Sequence, residues 1–197
     1  MKHYLMRTSD THPIRIDAVH PMNGWADIGL SLCPGKVQEN ALTGRWNRNL
    51  TQDLGRIRDW GAAMVISLIE AQEFDELIVS DLPAQTEALG MKWRHLPIRD
   101  RYPPGDAFHQ RWPTIGHEII ATLAAGQRVF IHCKGGLGRT GVVAACLLIE
   151  SGIAAELSVE MVRAARHKTI ETAIQEWFVL NYSAVFRMQG SGEKMSE

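Results

Sequence analysis

The stretch from Arg128 to Gly152 constrains this chain more than any other part of it. Residues 128–132 (RVFIH) form a short continuous apolar run, the pattern of a buried strand. Residues 140–151 are an apolar helix that Gly152 stops. Between the two lies Cys133-Lys134-Gly135-Gly136-Leu137-Gly138-Arg139, with three glycines in four residues. A buried strand passing through a glycine-rich loop into a buried helix is a unit of a sheet covered by helices.

The rest of the chain supplies the other layers. Residues 14–19 alternate apolar and polar and read as a strand, with 27–32 expected to pair with it. Helices are predicted over 50–60, 82–89, 112–124, 157–166 and 172–186, and further strands over 63–69 and 91–96. Three prolines and a glycine make 97–106 a loop. The expected fold class is α/β, a central, mostly parallel twisted sheet flanked by helices. At 45% hydrophobic and 22% charged, residues 1–189 suit one soluble globular domain, with 190–197 (GSGEKMSE) as a flexible tail.

Composition also removes several functions. A net charge of -1 points to neither nucleic acid nor a membrane surface. The longest mostly apolar stretch, 141–149, is too short to span a bilayer, and the N-terminus lacks the apolar core of a signal peptide. A cytoplasmic protein is expected. The three cysteines, Cys33, Cys133 and Cys146, are too few and too odd for a disulfide framework. None has metal-ligand spacing and no histidine pair forms HxxxH or HExxH, so neither metal nor cofactor is expected.

Glycines in the 133–139 loop let the backbone curl until successive N–H groups face inward, forming an anion-binding nest. The helix that follows adds unpaired N–H groups and its positive dipole end. A cysteine at the start of such a ring sits where a thiolate is stabilised. Arg139 closes the ring, and its planar fork suits two phosphate oxygens. Nucleophile and cradle therefore converge on one tetrahedral anion. The bland alternative for Cys133 is an inert buried thiol. A nucleotide-binding loop is disfavoured because no GK[ST] follows the glycines.

The run HCKGGLGRTG (132–141) matches HCxxGxxR[ST], and the chain resembles the cysteine-dependent protein tyrosine and dual-specificity phosphatases, most of all the compact kinase-associated phosphatase group. LSLCPGK (30–36), HLPIRD (95–100) and 170–179 extend the resemblance over roughly residues 28–186. It implies a metal-independent hydrolase acting on phosphotyrosine and/or phosphoserine/threonine of a phosphorylated protein through a cysteinyl phosphate on Cys133. Lys134, Gly135, Gly136, Leu137, Gly138 and Arg139 would bind the phosphate. Asp100 would be general acid and then base, Thr140 would assist the departing thiolate, and His132 would bond the loop backbone and tune the thiolate. Asp106 is the reserve acid, because the 101–105 loop is one residue longer than the family's usual form. Relatives often carry glutamines that position the hydrolytic water. Here Glu171 stands at the first such position and Gln175 keeps the second.

Other functional classes stay in view. A pseudophosphatase that only binds phosphoproteins usually lacks the cysteine, the arginine or the acid, and all three are present. Sulfur transfer and arsenate reduction use a cysteine at a loop bottom, but with a shorter loop or a cysteine near the N-terminus. A phosphoinositide phosphatase would carry a second lysine where this chain has Leu137. Five Lys/Arg against two acids in 92–111 would favour a phosphorylated or acidic substrate near the entrance. Five acids in 70–81 read as a solvated face. Cys33 is either a partner for oxidised Cys133 or, the preferred reading, a packed thiol; Cys146 reads as core.

Overall fold

The computed structural model describes residues 6–21, 24–41 and 43–186, so the tail expected at 190–197 lies outside the described residues. The first strands are β1 (Asp17–Val19) and β2 (Ile28–Ser31), followed by a hairpin of β3 (Val37–Ala41) and β4 (Gly44–Asn47). Helix α1 (Leu50–Asp59) starts at Asn49, whose side chain accepts the Gln52 N–H, and buries Leu54 and Ile57. Strand β5 (Ala62–Ser67) leads through α2 (Ala71–Glu76) and α3 (Leu82–Ala88) to β6 (Lys92–His95). Then come α4 (Asp106–Ala124), β7 (Arg128–His132), α5 (Gly138–Glu150), α6 (Ala155–Ala165) and α7 (Ala173–Leu180).

Five strands make one sheet in the order β1-β2-β7-β5-β6. Only the β1–β2 pairing is antiparallel; β2–β7, β7–β5 and β5–β6 are parallel. The expected α/β class and the β1–β2 pairing hold. Strand β7 sits in the middle with helices over both faces, which is why RVFIH reads as an unbroken apolar run rather than an alternating one. Its side chains still alternate: Val129 and Ile131 join the core beneath α4 and α5, while Phe130 packs with Leu54 and Ile57 of α1. Helix α5 is buried nearly all round, Val142 through Leu148 included, each large aliphatic residue contributing roughly 2 kcal/mol.

Several boundaries differ from expectation. Helix α4 begins at Asp106, six residues before the predicted start at Trp112. Asp106 lies in its first turn, where a carboxylate favours the helix dipole, and Pro113 is carried on the exposed side. Helix α7 ends at Leu180, not at Phe186. The β3–β4 hairpin and α2 carry no strong periodic signal and went unpredicted. Residues 70–81 are not simply a solvated face, because Glu73 is buried.

Sheet register then positions everything functional. Ser31 of β2 and Ser67 of β5 both lie opposite His132, and Ser67 lies opposite His95 of β6. The last residues of four parallel strands thus form one row. The loops leaving that row are neighbours at the carboxyl edge of the sheet, the edge at which open α/β folds bind ligands.

Candidate active site

The loop after β7 curls as its sequence requires, but one glycine carries the geometry. Gly136 has φ +71°, and a Cβ there would lie 2.2 Å from the Ser31 backbone. Gly135 has ordinary φ and open space around its Cβ position, so the loop does not need all three glycines for conformational reasons. The Gly136 N–H donates to Cys133 Sγ at 3.2 Å, and the sulfur is buried with the loop around it. Arg166, at the end of α6, holds the loop from outside. Its Nε donates to Gly136 O at 2.6 Å, its Nη2 to Gly135 O at 3.2 Å, and its Nη1 bonds Asp17 at 2.6 Å. Because C=O and N–H of a trans peptide point opposite ways, holding those two carbonyls on Arg166 turns the Gly136 and Leu137 N–H groups away from Arg166, and the first of these meets Cys133 Sγ.

Lys36 clamps a third loop carbonyl. It is 3% exposed, and its Nζ donates to Lys134 O at 3.2 Å. Burial lowers its pKa to about 8, even though the neighbouring Cys33 and Cys133 favour the charged form. The turn bearing Lys36 is fixed by Asp53 of α1, which accepts the Gly35 N–H and pairs with buried Arg48.

Arg139 is buried in the first turn of α5, and its fork is filled by protein groups. Glu73 of α2 accepts from Nη1 at 2.5 Å and from Nη2 at 3.1 Å, while Ile98 O accepts from Nη1 at 3.2 Å. Burial pushes the Glu73 carboxyl up, but Arg139 and Lys134 more than offset this and hold it below the usual carboxylate range. Asp100 reaches the same guanidinium: its Oδ1 lies 3.1 Å from Arg139 Nη2, with the side chain half exposed. Asp106 does not join them. It lines a separate hollow with Pro97, Arg99 and Tyr102.

His132 links the loop to the sheet. Trp93 Nε1–H donates to Ser67 Oγ, and Ser67 Oγ contacts His132 Nε2 at 2.7 Å. The other ring nitrogen, Nδ1, lies 3.4 Å from Cys133 O, an atom that can only accept. Burial pushes the His132 pKa down to about 3. The neutral ring therefore donates from Nδ1 and accepts the Ser67 hydroxyl at Nε2. Thr140 is the third residue of α5; among the described residues, its buried Oγ1 and Arg139 Nε have no hydrogen-bond partner.

Two residues at the start of α7 stand differently from one another. Gln175 is fully buried: its Oε1 accepts from Glu171 N and Thr172 N, and its Nε2 donates to Tyr102 O. Glu171 instead turns to the loop, accepting the Gly138 N–H at 2.8 Å. Both it and Asp100 line a cleft of about 330 Å³ with Cys133, Lys134 and Leu137, roofed by Gln38, Asn40 and Thr43 of the hairpin region.

Of the five cations in 92–111, Arg101 reaches this cleft. Lys92 and Arg94 pair with Glu118, Arg99 lies over Tyr102, and Arg111 donates to His95 O. Cys33 is packed with Ile69, Leu77 and Val79, and burial pushes its thiol pKa up. Sequence reasoning missed Glu73, Lys36 and Arg166. The capping box Glu70…Glu73 just after a buried strand was the available signal for the first. Lys36 stood within a stretch already matched, and nothing local marked Arg166.

A strand-to-helix anion loop with a buried cysteine, a braced arginine and a facing aspartate defines a cysteine-based protein phosphatase of the dual-specificity type. Residues 43–153 match the Tc-R-P family, described as polymorphic toxin system, DSP-PTPase phosphatase, and the chain belongs to that family. It is 28% identical over 162 residues to cyclin-dependent kinase inhibitor 3 of Rattus norvegicus, covering 81% of this chain and 71% of that one. The Homo sapiens protein of the same name is 26% identical over 186 residues, covering 91% and 85%. The crystal structure of kinase associated phosphatase with serine at its catalytic-site cysteine superposes with a TM-score of 0.74 at 25% identity, covering 85% of this chain and 92% of that one. This chain is a phosphatase, and its class is hydrolase.

Proposed function

We propose that this phosphatase acts on phosphorylated proteins and passes the phosphoryl group through Cys133. The observation that carries the reading is the convergence in one cleft of Cys133 Sγ, an N–H aimed at it, and Asp100 beside the buried fork of Arg139. In the first step Sγ attacks phosphorus, the bond to the substrate oxygen breaks, and Asp100 gives that oxygen its proton. In the second, water attacks phosphorus, the S–P bond breaks, and the electron pair returns to Sγ. The loop N–H groups other than that of Gly138, which Glu171 occupies, and Arg139 stabilise charge on the equatorial oxygens in both steps. Arg139 Nε, without a protein partner, is available to a phosphate oxygen, and the Thr140 hydroxyl is available to the departing sulfur. Neutral His132 donates to the Cys133 carbonyl and holds the loop start.

The substrate is taken to be a phosphoprotein rather than a phosphoinositide. Leu137 at the cleft offers apolar contact to a side chain and nothing to a second ring phosphate. Among the described residues no helix is long and apolar enough to cross a membrane. We assign residues 1–189 to one phosphatase domain acting in the cytoplasm. The test is Cys133→Ser assayed on phosphotyrosine and phosphothreonine peptides beside soluble phosphoinositides. Turnover should vanish while the variant still captures phosphopeptide. Substantial residual turnover would remove the thiolate step, and a tenfold wild-type preference for the inositide, about 1.4 kcal/mol, would make the lipid the substrate.

A further inference from the structure

We infer that Lys36 is the counter-cation of the Cys133 thiolate, a positioning residue that acts on the nucleophile through its charge. The inference rests on Cys133 being the nucleophile, as proposed above, and assigns a group that stabilises its ionised sulfur.

A lysine as buried as Lys36 ordinarily has a carboxylate beside it. Among the described residues this one does not. Its ammonium donates to two neutral oxygens, Lys134 O at 3.2 Å and Gln38 Oε1 at 3.4 Å, and lies 5.0 Å from the centroid of the Trp46 ring. The nearby carboxylates are committed elsewhere, Asp53 to Arg48 and the Gly35 N–H, and Glu73 to Arg139 and Lys134. Lys134 and Arg48 are themselves cations and disfavour a further charge. The groups that favour the ammonium are Cys33 and Cys133. Burial keeps Cys33 a protonated thiol, with its S–H on Pro34 O at 3.6 Å. That leaves Cys133.

The surroundings of the sulfur point the same way. Arg139 faces it, but its charge is offset by Glu73 and Asp100, and that of Lys134 is offset by Glu73 and Glu76. His132 is neutral, because burial holds its pKa down. Asp100 and Glu171 bring negative charge to the same cleft. Arg101 lines the rim, exposed, where water screens it. Lys36 lines the cleft with Cys133 and acts across protein of low dielectric, where a unit charge counts for more than at the surface. It still carries its proton at neutral pH, since burial lowers its pKa only to about 8. The Gly136 N–H gives the sulfur one hydrogen bond, whereas Lys36 supplies a whole charge. A buried cation without a carboxylate costs the fold stability, and such groups gather at functional sites.

Alkylation of Cys133 by iodoacetamide reads this, because the thiolate is the reacting species and a neutral reagent is indifferent to the affinity of the loop for anions. Cys133→Ser gives the background from Cys33 and Cys146. Lys36→Met should fold, since Lys134 O keeps the Cys33 N–H at 3.4 Å. It should alkylate about tenfold more slowly than wild type at about pH 6, and within about twofold of it at about pH 9, where the thiolate forms without help. Lys36→Gln keeps a donor for Lys134 O but no charge, and should match Lys36→Met. Lys36→Arg should recover most of the wild-type rate at about pH 6. Lys36→Gln alkylating like wild type at about pH 6 would reduce Lys36 to a clamp on Lys134 O. A Lys36→Met deficit equal at both pH values would make it a matter of access. Either result overturns the inference. The nucleophile is tested separately by quenching wild-type enzyme on 32P-labelled substrate: label on any residue other than Cys133 overturns the phosphocysteine reading and leaves the alkylation series as measured.

Discussion

Replacing Glu73 by glutamine removes one negative charge where water scarcely reaches. The side chains of Arg139 and Glu73 are 1% and 5% exposed. Breaking a buried ion pair from one side costs about 3–5 kcal/mol, mostly because the remaining charge is left uncompensated. Two contacts moderate the loss here: Asp100 stays 3.1 Å from Nη2, and Ile98 O still accepts from Nη1. We therefore expect the low end, about 3 kcal/mol, read as a lowered urea midpoint at unchanged m-value. Arg139 would also lose the anchor that aims its fork, so kcat/KM for an aryl phosphate should fall on the order of 10²-fold. Glu76→Gln is the control. Its carboxylate is 55% exposed and 3.6 Å from Lys134, a pairing worth under about 1 kcal/mol. Because Glu73 is held below the ordinary carboxyl value of 4.5, its contribution is complete above that pH and is lost as pH falls through the lower folded value. A Glu73→Gln variant no less stable than Glu76→Gln, with kcat/KM within threefold of wild type, would refute the bracing role.

Three further outcomes are expected. Arg139→Lys should lose on the order of 10²-fold or more in kcat/KM, because one ammonium cannot span Glu73, Ile98 O and a phosphate oxygen; a near-silent variant would take the arginine out of the chemistry. Asp100→Asn should slow substrates with poor leaving groups far more than activated phenols, and an unchanged leaving-group dependence beside a large loss in Asp106→Asn would move the acid to α4. Burial holds His132 at a pKa of about 3, so below about pH 6.5 the unfolded chain takes up a proton that the folded chain refuses. Stability should fall as pH drops, by roughly 2 kcal/mol at about pH 5 from this group. His132→Gln should flatten that part of the unfolding curve, and an unflattened curve would place the titration elsewhere.

The sequence by itself determined the reactive core of this protein. Strand 128–132, the curled loop and the helix after it are contiguous, and each follows a local rule: an apolar run buries, Gly136 tolerates φ +71°, and a helix start presents N–H groups. Cys133 and Arg139 were therefore legible together, whereas Asp100 was legible only through the resemblance of HLPIRD to the family's acid loop. All four strands of the parallel part of the sheet were legible too, and 63–69 and 128–132 announced themselves as apolar runs. What only the tertiary structure decided is who attends that core. The acids of 70–81 look alike in sequence, and α2 is too short for periodicity to say which one faces inward. Insertion of β7 between β2 and β5 brings Glu73 onto Arg139, 66 residues away, and Lys36 onto Lys134 O, 98 residues away. The same packing engages Gln175 with the acid loop and leaves Glu171 facing the cleft. A local motif can specify a nucleophile and its cradle, because backbone geometry acts over a few residues. Which charge braces the arginine, and which side chain faces the cleft, depends on strand order and register, and these are set by burial of the whole core.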